Sequence, residues 1–327
     1  MKLKAKTHIG CLGEVTCVVR HKDGTETVYP TEQNTHTYTW FNWATSNNTL
    51  SQFSNPFAPT AIDYCYVGTG NTPITKTSTR LQTPLSAVAS GTIGTFINDQ
   101  DIGGILYSGV ENQYIFTFGV INATITEIGL HKTPGNTSGL HCGLVLNTPV
   151  IVTSEDQLIV RYKRLYSGNC IGWLASDLAG WNAMPNSDSG SFVYAGNTYN
   201  YTLKVAHLIK GGSIAAPTSI QTMGGGASTV FIWDGTASTT GGTTVTSPTI
   251  THTLLTPNTT QRDFVSYSTS LLIPPTSGTY PIGRLGFGGP TGSVYWAITM
   301  LLSFDPPLPK TNQLKFQVTI EHTISWS

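Results

Sequence analysis

Hydrophobic positions along this chain recur mainly with a period of two. In "NQYIFTFGV", Tyr114, Phe116 and Phe118 alternate with Ile115, Thr117 and Gly119, which predicts a strand with both faces at least partly covered. "QLIVRYKRLY" sets Leu158, Val160 and Tyr162 against Ile159, Arg161 and Lys163 in the same way. "EVTCVVRHKDGTETVY" reads as two strands around Lys22-Asp23-Gly24, since Asp-Gly is a strong hairpin signal. "FVYAGNTYNYTLKV" is a second hairpin, turning at Ala195-Gly196-Asn197. Tyr64-Cys65-Tyr66-Val67 is a strand that stops at Gly68-Thr69-Gly70. The polar stretch holding Trp40, Phe41 and Trp43 reads as a short helix or as a loop pinned by aromatics. These patterns predict an all-β protein.

One passage occurs twice. Ile125-Thr-Glu-Ile-Gly-Leu130 aligns with Ile282-Gly-Arg-Leu-Gly-Phe287, and each hexamer leads through a Gly-rich turn and a hydrophobic run to a proline. Each passage then reaches Gln-Leu and renewed alternation, at Gln157 and at Gln313. The glycine inside the hexamer predicts close approach of a neighbouring backbone or bulky side chain, and the Gln-Leu strand is expected to pair with the hexamer. Shared positions are Gly, Ile, Leu, Pro and Gln, so the passage reads as a packing motif. The fold expected is two β-sandwich-like modules with a weak internal duplication, over 1–167 and 168–327. Residues 234–261 are low in complexity and rich in Thr, which suits strands or exposed ribbons.

Composition narrows the partners. Charged residues make up 10% of the 327, against roughly 25% in an average soluble protein. Seventeen Lys and Arg balance seventeen Asp and Glu. No basic footprint exceeds "MKLKAK" or "RYKR", which argues against nucleic acid. A weakly charged surface has little self-repulsion and suits packing against copies of itself. No stretch approaches the roughly 18 apolar residues of a membrane span, so no membrane partner is expected. No apolar core of a signal peptide follows the basic start, so synthesis in a cytosol is expected.

Candidate chemistry is sparse. Asp99 and Asp101 alternate, so they point the same way and could chelate a cation or act as acid and base, but turn chemistry explains them as well. Asn186 and Asp188 share that spacing with one carboxylate, and Glu155-Asp156 reads as a solvated turn. His131 and His141 flank one turn beside Cys142, which with Cys65 would make four metal donors, yet no H-x-x-x-H or C-x-x-C spacing supports a site. "GTGNTP" lacks the lysine and following helix of a phosphate loop. Cys11, Cys17, Cys65, Cys142 and Cys170 are odd in number, and read as buried thiols or as one disulfide plus free thiols. Catalytic residues, cofactors and metals are therefore not expected. Trp173 and Trp181, in loop-like sequence, and Trp326, in a strand, are the candidates for interface or ligand contact.

Several stretches resemble a recurrent pattern of tailed-bacteriophage virion proteins. They are the "DG" hairpin, "YVGTGNTPITKTSTRLQTPL" as a GTG-x-x-P … T-x-L stretch, "ITEIGL" as I-x-E-I-G-L, and "DQLIVRYKRL", which follows D-x-L-x-V-x-Y-x-L with its last leucine, Leu165, one position late. The resemblance covers about residues 10–166; the second copy departs from it, with Arg284 in place of the glutamate. It implies a structural subunit of neck, collar, tail or baseplate, without enzymatic activity. The expected partners are copies of the chain and other virion proteins, within a symmetric oligomer in the virion, after synthesis in the host cytoplasm. The alternative is a tail-fibre adhesin that binds a host-surface glycan.

Overall fold

The computed structural model describes residues 2–40, 64–103, 105–134, 139–167, 186–205, 208–211, 217–221, 229–233, 243–244, 249–255, 264–274, 280–288 and 298–326. Strands dominate them. The first half contains β1 (Lys2–Arg20), β2 (Glu26–Val28), β3 (Glu32–Gln33), β4 (Thr35–His36) and β5 (Tyr64–Gly68). It continues through β6 (Pro84–Ile102), β7 (Ile105–Ile115), β8 (Ala123–His131), β9 (Leu140–Val152) and β10 (Gln157–Ser167). The second half opens with β11 (Asp188–Tyr194), β12 (Asn197–Val205), β13 (Leu208–Gly211), β14 (Pro217–Gln221), β15 (Thr229–Trp233) and β16 (Thr243–Thr244). It ends with β17 (Thr249–Leu254), β18 (Phe264–Ile273), β19 (Tyr280–Gly288), β20 (Ile298–Lys310) and β21 (Phe316–Trp326). The fold is all-β and sandwich-like, as the alternation predicted.

In the N-terminal sandwich, one layer runs β6-β7-β10-β1, with β2 and β3 edging β1, and the other runs β5-β8-β9-β4. β6 belongs to both layers: its first part, from Pro84 to Ser90, pairs with β5, and Gly91 onward pairs with β7. Between the layers lies a core of Val15, Cys17 and Val19 from β1 and Leu158, Val160 and Tyr162 from β10. Ile125, Ile128 and Leu130 of β8 and Cys142, Leu144 and Val150 of β9 meet them. The aromatic segment begins with one helical turn at 38–40, and Trp40 enters this core at 2% exposure. Phe41 and Trp43 lie outside the described residues.

The C-terminal sandwich repeats this plan. β17-β18-β21 continues into the first half of β1, and β11-β12-β20-β19-β15-β16 forms the facing layer. Leu285, Leu302, Phe304, Phe316, Val318 and Ile320 fill the space between, with Leu3 and Ala5 from β1. Strand for strand, β6-β7-β10 corresponds to β17-β18-β21, and β5-β8-β9 to β15-β19-β20.

The duplication extends to irregularities. Between Ile125 and Glu127, β8 advances two residues while its partner β9 retreats five, from Val150 to Val145. Between Ile282 and Arg284, β19 advances two while β20 retreats five, from Leu308 to Ser303. Pro149 in one passage and Pro306 and Pro307 in the other sit in that excess, where no ladder N–H is required of them, while Pro281 and Pro309 pair beyond it. A second shift follows Leu130 and Phe287 alike.

One expectation fails. The Gln-Leu strands do not pair with the hexamers: β10 pairs with β7 and β1, and β21 with β18 and β1. In the N-terminal copy the chain crosses to the facing layer after the turn from Thr153 to Asp156, because Leu158, Val160 and Tyr162 fill the core opposite Ile125 and Ile128. β1 runs through both sandwiches. Residues 2–11 pair in parallel with β21 and residues 11–20 antiparallel with β10, so Cys11 stands opposite both Trp326 and Tyr166.

The hexamer glycine behaves as expected. A Cβ on Gly129 would lie 2.8 Å from Leu140 Cδ1 and 2.9 Å from Leu81 Cδ2, both leucines being fully buried. Gly129→Ala is therefore expected to lower stability by about 1–3 kcal/mol through overpacking, read as a shifted urea midpoint at unchanged slope.

Candidate functional site

Glu127 is the centre of a heavily bonded polar site. It follows the bulge in β8 and is fully buried. Its Oε1 accepts the backbone N–H groups of Gly70 at 3.1 Å and Thr83 at 2.7 Å, and its Oε2 accepts that of Gln82 at 2.9 Å. Gln82 Oε1 in turn accepts the N–H groups of Asn71 and Thr72, each at 3.0 Å. Thr126 Oγ1 donates to the Gly70 carbonyl at 2.7 Å. The loop from Gly68 to Thr83 is thus laced to β8.

The GTG sequence follows from this bond. A Cβ on Gly70 would lie 2.7 Å from Glu127 Oε1, and one on Gly68 would strike the same oxygen. "GTGNTP" does cradle an anion, and the anion is the protein's own carboxylate. With both oxygens engaged by backbone donors, Glu127 is committed to holding the loop. Leu81, the leucine of the T-x-L stretch, packs on Gly129 of the hexamer. The two stretches that looked separate in sequence meet here. In the second copy Arg284 takes the place of Glu127, and its Nη1 is buried with no hydrogen-bond partner among the described residues.

A second constellation sits at the far end of the N-terminal sandwich. His21 Nδ1 lies 2.7 Å from Asp156 Oδ1, and His21 Nε2 lies 3.0 Å from Thr27 Oγ1. Asp156 Oδ2 also accepts the Thr153 N–H at 2.9 Å and its hydroxyl at 2.7 Å. The order hydroxyl, imidazole, carboxylate is that of a hydrolase triad. Here it joins the Asp-Gly hairpin to the β9–β10 turn, and neighbouring pairs do the same. Lys22 meets Glu155 at 2.6 Å, and Arg20 bonds both Glu26 at 2.9 Å and Gln157 at 3.2 Å. Thr27 lies on the exposed three-residue strand β2. The arrangement fastens the tip of the sandwich. Asp156 is 6% exposed, so reading Glu155-Asp156 as a solvated turn holds for Glu155 alone. Thr153-x-x-Asp156, a hydroxyl-and-carboxylate turn, was the signal for it.

The other singled-out residues fall apart. Asp99 and Asp101 lie in β6 rather than in a turn, and Asp101 is exposed opposite Leu106. Asp188 opens β11, where Oδ2 accepts the Lys6 N–H at 2.8 Å and Oδ1 accepts the Ser189 N–H at 2.8 Å. His131 stacks edge-on against Tyr66, whereas His141 meets Trp40. Among the described residues no group of three or more His, Cys, Asp or Glu is placed to hold a metal. Cys11, Cys17, Cys65 and Cys142 are buried; burial pushes the Cys17 and Cys142 thiols up to about 12, which removes the reactive thiolate. Arg164, in the basic-looking "RYKR", is 1% exposed, and its charge opposes the rise that burial imposes on Tyr114 and Cys142. Cys170, Trp173 and Trp181 lie outside the described residues. Trp326 ends β21, opposite Cys11, where β1 passes from one sandwich to the other.

No family model matches the chain, and no curated protein or solved structure is significantly similar to it.

Two outcomes test this site. Glu127→Ala would strand the buried Gly70 N–H and the part-buried N–H groups of Gln82 and Thr83, with an expected loss of about 2–4 kcal/mol in urea unfolding and earlier proteolysis within 68–83. His131 supplies a pH signature. Neither ring nitrogen has a hydrogen-bond partner among the described residues, and burial lowers its pKa from 6.5 to about 4. Between those values the unfolded chain binds the proton and the folded chain does not, so stability falls as the pH drops from about 6.5 to about 4. The loss is about 3 kcal/mol, and His131→Phe is expected to flatten that slope in pH-dependent melting. Below it Asp156 takes over: the Thr153 hydrogen bonds hold its pKa below the ordinary value, and its contribution disappears on further acidification.

Proposed function

We propose that this chain is a structural subunit of a tailed-bacteriophage virion, in the neck, collar or tail, and that it assembles into a symmetric oligomer. The observation that carries the reading is the meeting of the motif stretches. GTG-x-x-P, T-x-L and I-x-E-I-G-L, on which the resemblance rests, converge on Glu127 and Gly129. Their shared task is to hold a loop against a sandwich, which is architectural work. The low charge adds to this, since a surface with few charges has little to desolvate when it meets a neighbour. The adhesin alternative rests on Trp173, Trp181 and the Thr-rich segment 234–261.

Purified virions provide the test. Peptides of this chain should appear by mass spectrometry in fixed stoichiometry with the other virion proteins, and antibody labelling should mark the neck or tail in electron micrographs. Absence from virions, with the protein confined to the infected cell, would overturn the proposal.

A further inference from the structure

The C-terminal sandwich is closed by a strand from outside its own half of the sequence. In the N-terminal sandwich the neighbour of β10 is the second half of β1, antiparallel. In the C-terminal sandwich the corresponding place beside β21 is taken by the first half of β1, and the pairing is parallel. The other strand pairs of the described residues are antiparallel. The duplicated unit therefore carries an acceptor position for a strand it does not encode.

That position is a built slot. β21 forms one wall, pairing with β1 from Lys2–Gln317 to Cys11–Trp326. Asp188 of β11 forms the other, accepting the Lys6 N–H at 2.8 Å. Leu3 and Ala5 point into the core while Lys2, Lys4 and Lys6 are exposed. The ladder to β21 is made by backbone groups, and these are indifferent to which copy of the chain supplies the strand.

We infer that this slot is a strand-acceptor site, and that in the assembled protein it takes residues 2–10 of a second copy of the chain. The inference rests on the oligomeric reading above. Exchange preserves the ladder from Lys2–Gln317 to Ile9–Ile324, the Asp188 contact and the burial of Leu3 and Ala5. The difference between the closed and exchanged forms is confined to the crossing near Gly10 and Cys11 and to protein concentration. Each chain gives one strand and accepts one, so the contact closes as a reciprocal dimer or as a ring.

Lys4 and Thr319 are opposed in the ladder and sit on its solvent side, so cysteines there report the connection. Chains carrying K4C and T319C separately, with different tags, would be co-expressed, oxidised and run on a non-reducing gel. A disulfide-linked mixed dimer of doubled apparent mass is expected, and the K4C/T319C double variant should give covalent oligomers. An oligomer by light scattering whose double variant yields only an intrachain-bridged monomer, with no mixed dimer from the single variants, overturns strand exchange and leaves the subunit reading standing. A species that is monomeric at every concentration overturns both.

Discussion

The length of β1 constrains everything else in this protein. At 19 residues and about 3.3 Å per residue it spans roughly 60 Å, some three times a typical strand. One sandwich cannot bury both of its halves, so the strand leaves the first core at Cys11 and enters a second. The sheet that results is continuous through thirteen strands although the cores are separate. The two sandwiches are thereby joined through backbone hydrogen bonds.

The duplication shows which parts of a sandwich are hard to vary. Both copies keep the paired register shifts and the proline-bearing excess in the return strand, because these aim the apolar residues inward on either side of a bend. What lies beside the bulge differs. Glu127 organises a loop through three backbone donors, while Arg284 at the matching point has no such set among the described residues. A closing geometry was kept, and the polar apparatus around it was free to diverge.

Much of this was legible in the sequence. Period-two alternation located β10, the Asp-Gly and Ala-Gly-Asn turns located two hairpins, and the repeated hexamer announced the second sandwich. The alternation read through "NQYIFTFGV" met only the last four residues of β7, because the chain leaves the ladder at Phe116 and turns from Thr117 to Val120. Partner choice was not legible, because alternation tells a strand which face to bury and says nothing of its neighbour. The pairing of Gln157 onward with β7 instead of β8, and the parallel pairing of β1 with β21, were hidden for that reason. So was the Glu127 bond: its donors at Gly70 and Thr83 are 57 and 44 positions away, and only their shared resemblance to one pattern linked them. Arg164 belongs to "RYKR", one of the two densest basic stretches, yet the alternation that buries Tyr162 also buries the residue two positions on.

The route of β1 also has a mechanical consequence. Tension drawn along β1 from one sandwich to the other would act along the strand axis, against ten residue pairs with β10 on one side of Cys11 and ten with β21 on the other. Those hydrogen bonds lie across the pull and share it, so parting the halves would require a whole ladder to fail together rather than bond by bond. A subunit wired this way resists stretching in the direction its longest strand runs.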